Sequence, residues 1–184
     1  MSQTSDLAGS LSCSLSSAFA NVSDPVAIES VVPPRFFLPS GYSLIAFGAN
    51  LGDPDQTYEK CIGRMRKFTA TEIVCASSLI STKPVDCPPG SPDYRNGAIL
   101  VYTRLSPFLL LRRMQQLERR LGRVRSVPNA PRTCDLDMLL YGSWELLTDH
   151  LILPHPRMWE RDFVMIPVNE IMRQYPELAL QENN

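Results

Sequence analysis

The chain has 184 residues, a formal net charge of −1, 44% hydrophobic and 20% charged residues, and 16 prolines against nine glycines. This composition is typical of a globular domain and excludes a wholly disordered chain, a collagen and a coiled coil. We expect neither a nucleic-acid nor a membrane partner, because the charge is nearly neutral and no apolar run approaches the roughly 20 residues of a membrane-spanning helix.

The first 40 residues differ from the rest of the chain, because they are serine-rich and hold only four charged residues. The run Ala18-Phe19-Ala20 resembles a signal-peptidase site, but no Lys or Arg precedes it. A transit peptide would be rich in arginine, and the first arginine is Arg35. We therefore expect residues 1–40 to be a disordered extension or the product of a misassigned start codon. The folded domain is expected at 41–184, beginning near Gly41.

The first half of the folded domain starts with a short apolar run at 42–47, which predicts a buried strand. Asp53-Pro54 then gives a helix-start signal, a capping side chain followed by proline at the first helical position. Apolar residues at helical spacing continue this helix to about Phe68. Residues 73–81 predict a second strand, and 82–92 predict a loop rich in Pro, Gly and Asp.

The second half repeats the alternation of strand and helix. It predicts a strand at 97–103, a helix that begins at Ser106-Pro107 and ends at Gly122, an irregular segment at 123–133, a strand at 135–141 and a late helix at 163–172. The order β-α-β-β-α-β is that of a ferredoxin-like α+β sandwich, an antiparallel sheet with helices on one side. Two long irregular segments then lie where a site could form.

The cysteines argue against a disulfide framework and against a zinc ribbon, because their number is odd and no two form a CxxC pair. Free thiols indicate a reducing compartment, and we expect the protein to be cytoplasmic. The five are Cys13, Cys61, Cys75, Cys87 and Cys134.

Two carboxylates on the strand at 135–141 are the sharpest local feature. Side chains at i and i+2 share a face of a strand, so Asp135 and Asp137 lie side by side. Close carboxylates repel each other and persist most easily where a hard cation such as Mg²⁺ sits between them. A solvated strand face is the alternative for an isolated pair of this kind.

Arginines stand directly before this acidic pair, at Arg123, Arg125 and Arg132. Guanidinium groups bind phosphate oxygens in a forked geometry, so arginines beside a divalent-metal site predict a polyphosphate ligand. The alternative is a set of ion pairs with Glu118 and the aspartates.

Three further features are weaker. The turn at 48–52 follows a strand and precedes a helix but lacks the GK[ST] of a phosphate-binding loop, and Asn50 within it could instead buttress a neighbouring loop. His155 lies between two prolines, which stiffen its backbone, and it either packs or contacts phosphate. The Tyr94-Arg-Asn96 run and Phe163 suit a flat heteroaromatic ligand, although each is common in a core or turn.

In order and spacing, the motifs resemble the hydroxymethyl-dihydropterin pyrophosphokinase family of folate biosynthesis, over about residues 42–178. The matching runs are Phe47-Gly-Ala-Asn-Leu-Gly52, Thr82-Lys-Pro-Val85, Tyr94-Arg-Asn96, Leu121-Gly-Arg-Val-Arg125, Asn129-Ala-Pro-Arg-Thr-Cys-Asp-Leu-Asp-Met-Leu-Leu-Tyr141, and Pro154-His-Pro156 through Phe163. The block at 131–141 is highly specific to that family, whereas the glycine turn alone is not.

The resemblance implies the transfer of pyrophosphate from ATP to the hydroxymethyl group of the dihydropterin, with release of AMP. It implies two Mg²⁺ ions held by Asp135 and Asp137, with Arg123 and Arg132 joining them as catalytic residues. The ATP-binding residues it implies are Glu118, Arg123, Arg125, Arg132, Met138, Leu151, Ile152, His155 and Arg161. The pterin-binding residues it implies are Thr82, Pro84, Val85, Tyr94, Asn96 and Phe163.

The chemistry agrees with this resemblance, because phosphoryl-type transfer depends on positioning and charge neutralisation and does not require a dedicated protein base. The irregular segments at 82–92 and 123–130 are expected to close over the ligands, and the protein to act as a monomer. Two alternatives stay open: a ferredoxin-like ligand-binding or regulatory domain without turnover, and an RNA-binding module of similar topology. The RNA-binding module would need a basic sheet face with exposed aromatics.

Overall fold

A central antiparallel sheet organises the chain in the computed structural model, which describes residues 35–84, 87, 89–123 and 131–181. The α-helices are α1 (Pro54–Met65), α2 (Pro107–Arg120) and α3 (Asp162–Gln174). The strands are β1 (Phe36–Phe37), β2 (Tyr42–Ala49), β3 (Thr71–Ala76), β4 (Ile80–Thr82), β5 (Tyr94–Thr103), β6 (Asp135–Tyr141), β7 (Leu146–Leu147), β8 (Ile152–Leu153) and β9 (Leu180–Gln181). Short 3₁₀ turns cover Met158–Glu160 and Pro176–Leu178.

The sheet has the order β3-β5-β2-β6, with β4 beside β5, and every pairing in it is antiparallel. The long strands β2 and β5 are central because both are buried over most of their length. The two β-α-β crossovers place β6 at one edge and β3 at the other. The α+β ferredoxin-like fold expected from the order of elements is confirmed.

The helices begin where the sequence predicts. The Asp53 carboxylate accepts a hydrogen bond of 2.9 Å from the Gln56 backbone N–H, and proline follows the cap. Ser106 caps α2 in the same way, and Gly122, with φ of +87°, allows the chain to leave the helix. No helix in the described part of the chain is both long and apolar enough to cross a membrane.

The helices lie on both faces of the sheet, which corrects the expectation of one helical face. Helices α1 and α2 pack with Ile45, Phe47 and Ile99 on one face. Helix α3 packs on the other face, against residues that alternate with these along the same strands, such as Leu44 and Leu100. Strands β2 and β5 are therefore covered on both sides, which accounts for their nearly continuous apolar sequence.

The single strand expected at 73–81 is in fact two strands. Ser77 lies between β3 and β4, where its backbone N–H donates to the Ala98 carbonyl and its hydroxyl accepts from the Ala98 N–H, each at 2.9 Å. Strand β5 also begins three residues before the expected Gly97. Tyr94 and Asn96 consequently lie on a strand of the sheet.

Strand β1 precedes the expected boundary near Gly41. Strand β1 pairs with β9 near the other end of the chain, and Phe36 and Leu38 are buried against the α3 face of the sheet. The Phe36 ring meets the Trp159 ring edge to face at a centroid distance of 5.3 Å. Residues 36–38 therefore pack with the folded domain, whereas residues 1–34 of the expected extension lie outside the described residues.

We expect Leu38→Ala to lower the free energy of unfolding by about 2–4 kcal/mol, because the side chain is fully buried and its removal leaves a cavity. Leu147→Ala is the matched control, since Leu147 is 86% exposed and its removal should change stability by less than about 0.5 kcal/mol. Chemical denaturation of both variants measures the difference. Equal stability of the two variants would contradict a core that includes Leu38.

Candidate active site

A cleft of about 320 Å³ opens over the α3 side of the sheet, at the ends of β2, β5 and β6. It is lined by residues from these strands, from the two irregular segments, from the connection between β8 and α3 and from the start of α3. The lining residues are Ala46, Phe47, Gly48, Thr82, Lys83, Cys87, Tyr94, Asn96, Arg123, Arg132, Asp135, Asp137, Leu139, His155, Arg157, Arg161, Phe163 and Val164.

The two carboxylates of β6 both face this cleft, as their i, i+2 spacing predicts. Asp135 is held by two arginines: Arg123 Nη1 lies 2.5 Å from Asp135 Oδ1, and Arg132 Nη1 binds Oδ2. The Asp137 carboxylate is exposed to the cleft and makes no hydrogen bond or salt bridge with another described residue. Asp137 is thus free to ligate a cation, whereas Asp135 is engaged by the arginines.

The environment of Asp137 stabilises its protonated form. Loss of hydration inside the cleft, followed by the negative charge of Asp135, raises the pKa of Asp137 to about 6, against the opposing effect of Arg123 and Arg132. A bound divalent cation would remove this cost, since it compensates both negative charges. Two adjacent carboxylates suit Mg²⁺, which takes one or two carboxylates and completes its coordination with water and substrate phosphates. The described residues contain no cluster of three or more His, Cys, Asp or Glu placed to hold a metal.

Glu118 lies behind the cleft and does not line it. Its side chain is 3% exposed, and Oε1 accepts hydrogen bonds from the Leu136 backbone N–H at 2.8 Å and from Arg123. Burial raises the pKa of Glu118, partly offset by the bond from Leu136 and by the charge of Arg123. The arginine ion pairs with Glu118 and Asp135, which the sequence offered as the alternative to phosphate binding, are therefore present. They lie in and beneath the cleft and not on an open surface.

His155 lines the cleft, and the chain around it orients its ring. The Leu153–Pro154 peptide is cis, and the His155 backbone N–H donates to the Leu139 carbonyl at 2.9 Å. Nδ1 accepts from the Arg157 backbone N–H at 3.4 Å, so the neutral ring carries its proton on Nε2. Burial, together with the charges of Arg161 and Arg157, lowers the pKa of His155.

We expect the stability of the wild-type protein to fall more steeply between pH 7.5 and pH 5 than that of His155→Asn. The folded pKa is depressed, so the unfolded chain binds the proton first, and stability is lost as pH falls through the ordinary histidine range near about 6.5. Denaturation at a series of pH values measures both slopes. The control is His150→Asn, because His150 is exposed and does not line the cleft. If His150→Asn reduced the dependence of stability on pH as much as His155→Asn does, the effect could not be assigned to His155.

Asn96 and Tyr94, which are on the same strand, present an amide and an aromatic ring to the cleft. Asn96 is buried and its Nδ2 donates to Thr82 Oγ1 at 2.8 Å, which leaves Oδ1 directed at Gly48 across the sheet. A Cβ at Gly48 would lie 3.4 Å from that oxygen and 4.0 Å from the Cβ of Asp135, so glycine keeps the floor of the cleft open here. The guanidinium of Arg132 stacks over the Tyr94 ring at 5.9 Å.

The guanidinium of Arg161 lies 5.4 Å from the centroid of the Phe163 ring, at the start of α3. Both residues line the cleft, so a cation and an aromatic face are presented together.

Several predicted residues lie outside the lining of the cleft. Met138 and Leu151 are buried in the core on the α1 and α2 face, and Ile152 is 39% exposed on β8. Pro84 is half-buried and does not line the cleft either. Arg125 and Val85 lie outside the described residues.

Sequence reasoning missed Arg157 and Lys83 as lining residues. Arg157 directly follows the Pro-His-Pro run and lies two residues after His155, so it could have been predicted to line the cleft with His155. Leu139 could have been found from the alternation that places Asp135 and Asp137 on the cleft side.

Comparison with known proteins agrees with this geometry. The family model described as 7,8-dihydro-6-hydroxymethylpterin-pyrophosphokinase matches residues 44–173. The 2-amino-4-hydroxy-6-hydroxymethyldihydropteridine pyrophosphokinase of Bacillus subtilis is 40% identical over 135 residues, which cover 73% of this chain and 80% of that protein. The Haemophilus influenzae protein of the same name is 38% identical over 127 residues, which cover 69% and 79%.

A longer relative contains the same region as one part of its sequence. The mitochondrial folate synthesis bifunctional protein of Pisum sativum is 35% identical over 129 residues, which cover 70% of this chain and 25% of that protein. The family match includes every residue that lines the cleft. The chain therefore belongs to the 7,8-dihydro-6-hydroxymethylpterin pyrophosphokinase family.

Proposed function

We propose that this protein transfers the pyrophosphate group of ATP to the hydroxymethyl group of 6-hydroxymethyl-7,8-dihydropterin, a step of folate biosynthesis. The substrate oxygen forms a bond to the β-phosphorus of ATP, the bond between that phosphorus and the oxygen bridging to the α-phosphate breaks, and AMP leaves. The hydroxyl proton is released to solvent. The observation that carries the proposal is one cleft with paired carboxylates, four arginines and a histidine beside an amide and two aromatic rings.

The phosphate chain of ATP is assigned to the end of the cleft formed by Arg123, Arg132, His155 and Arg161. The guanidinium groups of Arg123 and Arg132 are held against Asp135, so they are positioned before substrate enters. The Nε2–H of His155 can donate to a phosphate oxygen while Arg157 fixes the other ring nitrogen. Preorganised donors of this kind stabilise the charge that develops on phosphate oxygens. Arg157 adds a further cation at this end of the cleft.

Asp135 and Asp137 are assigned as the carboxylates that would hold Mg²⁺, with two ions proposed. When bound, Mg²⁺ neutralises negative charge on the triphosphate and orients it for displacement. Asp137 needs no rearrangement to serve as a ligand, whereas Asp135 would first exchange an arginine contact. Arginines released from Asp135 would then be available to the phosphates.

The pterin is assigned to the end that holds Thr82, Tyr94, Asn96 and Phe163. The Asn96 Oδ1 can accept from the edge of the ring system while its Nδ2 donates one hydrogen to Thr82. Tyr94 and Phe163 supply faces for a flat ring, and each is backed by an arginine. The resemblance also implies a pocket wall formed by Pro84 and Val85, but Pro84 does not line the cleft and Val85 lies outside the described residues.

The adenine is assigned to the region of Met138, Leu151 and Ile152. The first two side chains are buried in the core, so their contribution would come from backbone groups. Ile152 is exposed and can contact the base directly. We propose that Arg125 contributes to nucleotide binding and that the segments at 82–92 and 123–130 close over the ligands. Arg125 and part of both segments lie outside the described residues. We also propose that the protein acts as a monomer in the cytoplasm.

Incubating the protein with ATP, 6-hydroxymethyl-7,8-dihydropterin and Mg²⁺ tests the reaction. The expected products are AMP and the pterin pyrophosphate, with no product when EDTA is added. ADP as product would exclude pyrophosphoryl transfer. Binding of both substrates without formation of AMP would favour the ligand-binding alternative. The arginines, the histidine and both carboxylates that line the cleft argue against that alternative.

A further inference from the structure

Asn50 lies directly after β2, at the point where the two irregular segments approach each other, and its side chain does not line the cleft. The residue is 5% exposed. Its Oδ1 accepts from the Arg132 backbone N–H at 2.8 Å, and its Nδ2 donates to the Pro92 carbonyl at 3.2 Å. One amide thus joins two chain segments that are far apart in sequence.

The orientation of this amide follows from its partners. The Arg132 N–H can only donate, so it must face Oδ1, and the Pro92 carbonyl can only accept, so it must face Nδ2. Each half of the amide therefore has one defined neighbour. An Asp at this position would keep the acceptor for Arg132 and lose the donor for Pro92.

The two segments joined by Asn50 lead to the two groups of cleft residues that are assigned to the two ligands. Arg132 belongs to the end assigned to phosphates and binds Asp135. Pro92 lies two residues before Tyr94, where β5 begins at the end assigned to the pterin. The Arg132 guanidinium also lies over the Tyr94 ring, 5.9 Å from its centroid, so the two groups of residues are in direct contact.

We propose that Asn50 is a positioning residue that sets Arg132 and Tyr94 relative to each other and thereby links the nucleotide and pterin ends of the cleft. This inference rests on the proposed function for the identity of the two ligands. Asn50 does not touch substrate; it acts through the backbone of Arg132 and Pro92.

The local fold does not depend on this side chain alone. The Asn50 and Leu51 backbone N–H groups both donate to the Arg132 carbonyl, at 3.0 and 3.3 Å. These bonds remain when the side chain is changed. Variants at Asn50 should therefore fold and report on positioning.

Asn50→Ala and Asn50→Asp test the two halves of the amide separately, and Ser43→Ala is the matched control. Ser43 is fully buried, and its hydroxyl donates to the Leu140 carbonyl at 2.8 Å, toward the end of β2 away from the cleft. The measurements are thermal stability, KM and kcat for both substrates, and equilibrium binding of α,β-methylene-ATP with Mg²⁺ and of the pterin. Binding is measured without turnover. A wild-type protein that binds both ligands but forms no AMP would therefore count against the proposed function and not against this inference.

We expect Asn50→Ala to weaken binding of both ligands by about tenfold, the usual effect of one lost hydrogen bond. Asn50→Asp should weaken pterin binding about as much as Asn50→Ala does, because the donor to Pro92 is lost in both. Its nucleotide binding should be closer to wild type, because the acceptor for Arg132 is kept. Ser43→Ala should lower stability and leave both affinities within about twofold of wild type. Unchanged affinities in Asn50→Ala, or wild-type pterin binding in Asn50→Asp, would overturn the proposal.

Discussion

Replacing Asp137 with alanine is expected to lower pyrophosphoryl transfer by about 10³-fold, because it removes the carboxylate that is free to ligate Mg²⁺. The Tm should stay within about 2 °C of wild type, since the side chain is exposed and pairs with no described residue. Its raised pKa points in the same direction: loss of hydration, followed by the charge of Asp135, disfavours the ionised carboxylate, so its removal relieves both costs. Steady-state AMP formation and a thermal melt measure the two effects.

Glu72→Ala is the matched control for this prediction. Glu72 is an exposed carboxylate on β3, at the edge of the sheet opposite β6, so its removal changes the net charge equally without touching the cleft. Wild-type turnover in Glu72→Ala and loss in Asp137→Ala would separate metal ligation from net charge. Mg²⁺-dependent turnover at the wild-type rate in Asp137→Ala would show that this carboxylate is not a metal ligand.

Asp135→Ala should behave differently from Asp137→Ala, because Asp135 holds Arg123 and Arg132 as well as facing the cleft. Arg123 would retain Glu118, whereas Arg132 would lose its carboxylate partner. We therefore expect Asp135→Ala to lose turnover and also to bind nucleotide less tightly in the absence of Mg²⁺. Wild-type affinity for free ATP in this variant would contradict the positioning of Arg132 by Asp135.

The features that the sequence predicted well are local ones. The caps at Asp53 and Ser106 and the spacing of Asp135 and Asp137 depend on neighbours within four residues, so their physical basis can be read directly from the chain. The strand at 135–141 was predicted with both ends correct. Each of these features is fixed by short-range geometry and does not need the rest of the fold.

The features that could not be predicted depend on contacts between distant parts of the chain. Strand β1 is only two residues long and forms because β9 and the α3 face lie beside it, so nothing in residues 35–38 alone distinguishes it from the segment before it. The face occupied by α3 is likewise decided by packing, since an amphipathic helix fits either side of a sheet that is apolar on both. The contact of Asn50 with Arg132 spans 82 residues.

The residues of the cleft likewise could be predicted one by one, whereas their contacts with each other could not. Asn96 and Asp135 were identified separately from sequence motifs, but their proximity follows from the register in which both pair with Gly48 of β2. The resemblance implies Glu118 among the ATP-binding residues, with a role in orienting its neighbours and not in touching substrate. The structure places it beneath β6, where it binds the backbone between the two aspartates.

Glu118→Ala is expected to lower the free energy of unfolding by about 2–4 kcal/mol. The change leaves the buried Leu136 N–H without an acceptor and removes one carboxylate partner of Arg123. Turnover should fall as well, because the peptide that loses its bond lies between Asp135 and Asp137. Denaturation and AMP formation measure the two losses, and wild-type values for both would contradict this role.

Glu118→Gln distinguishes the hydrogen bond from the charge. Glutamine keeps an acceptor for Leu136, so this variant should lose less than about 1.5 kcal/mol and retain more activity than Glu118→Ala. The sign of its pH dependence is also defined, since burial raises the pKa of Glu118 above that of the unfolded chain. The wild-type protein therefore loses stability as pH rises through the folded pKa, whereas the glutamine variant does not. The stability of Glu118→Gln relative to wild type should increase with pH, and a relative decrease would show that the charge of Glu118 stabilises the fold.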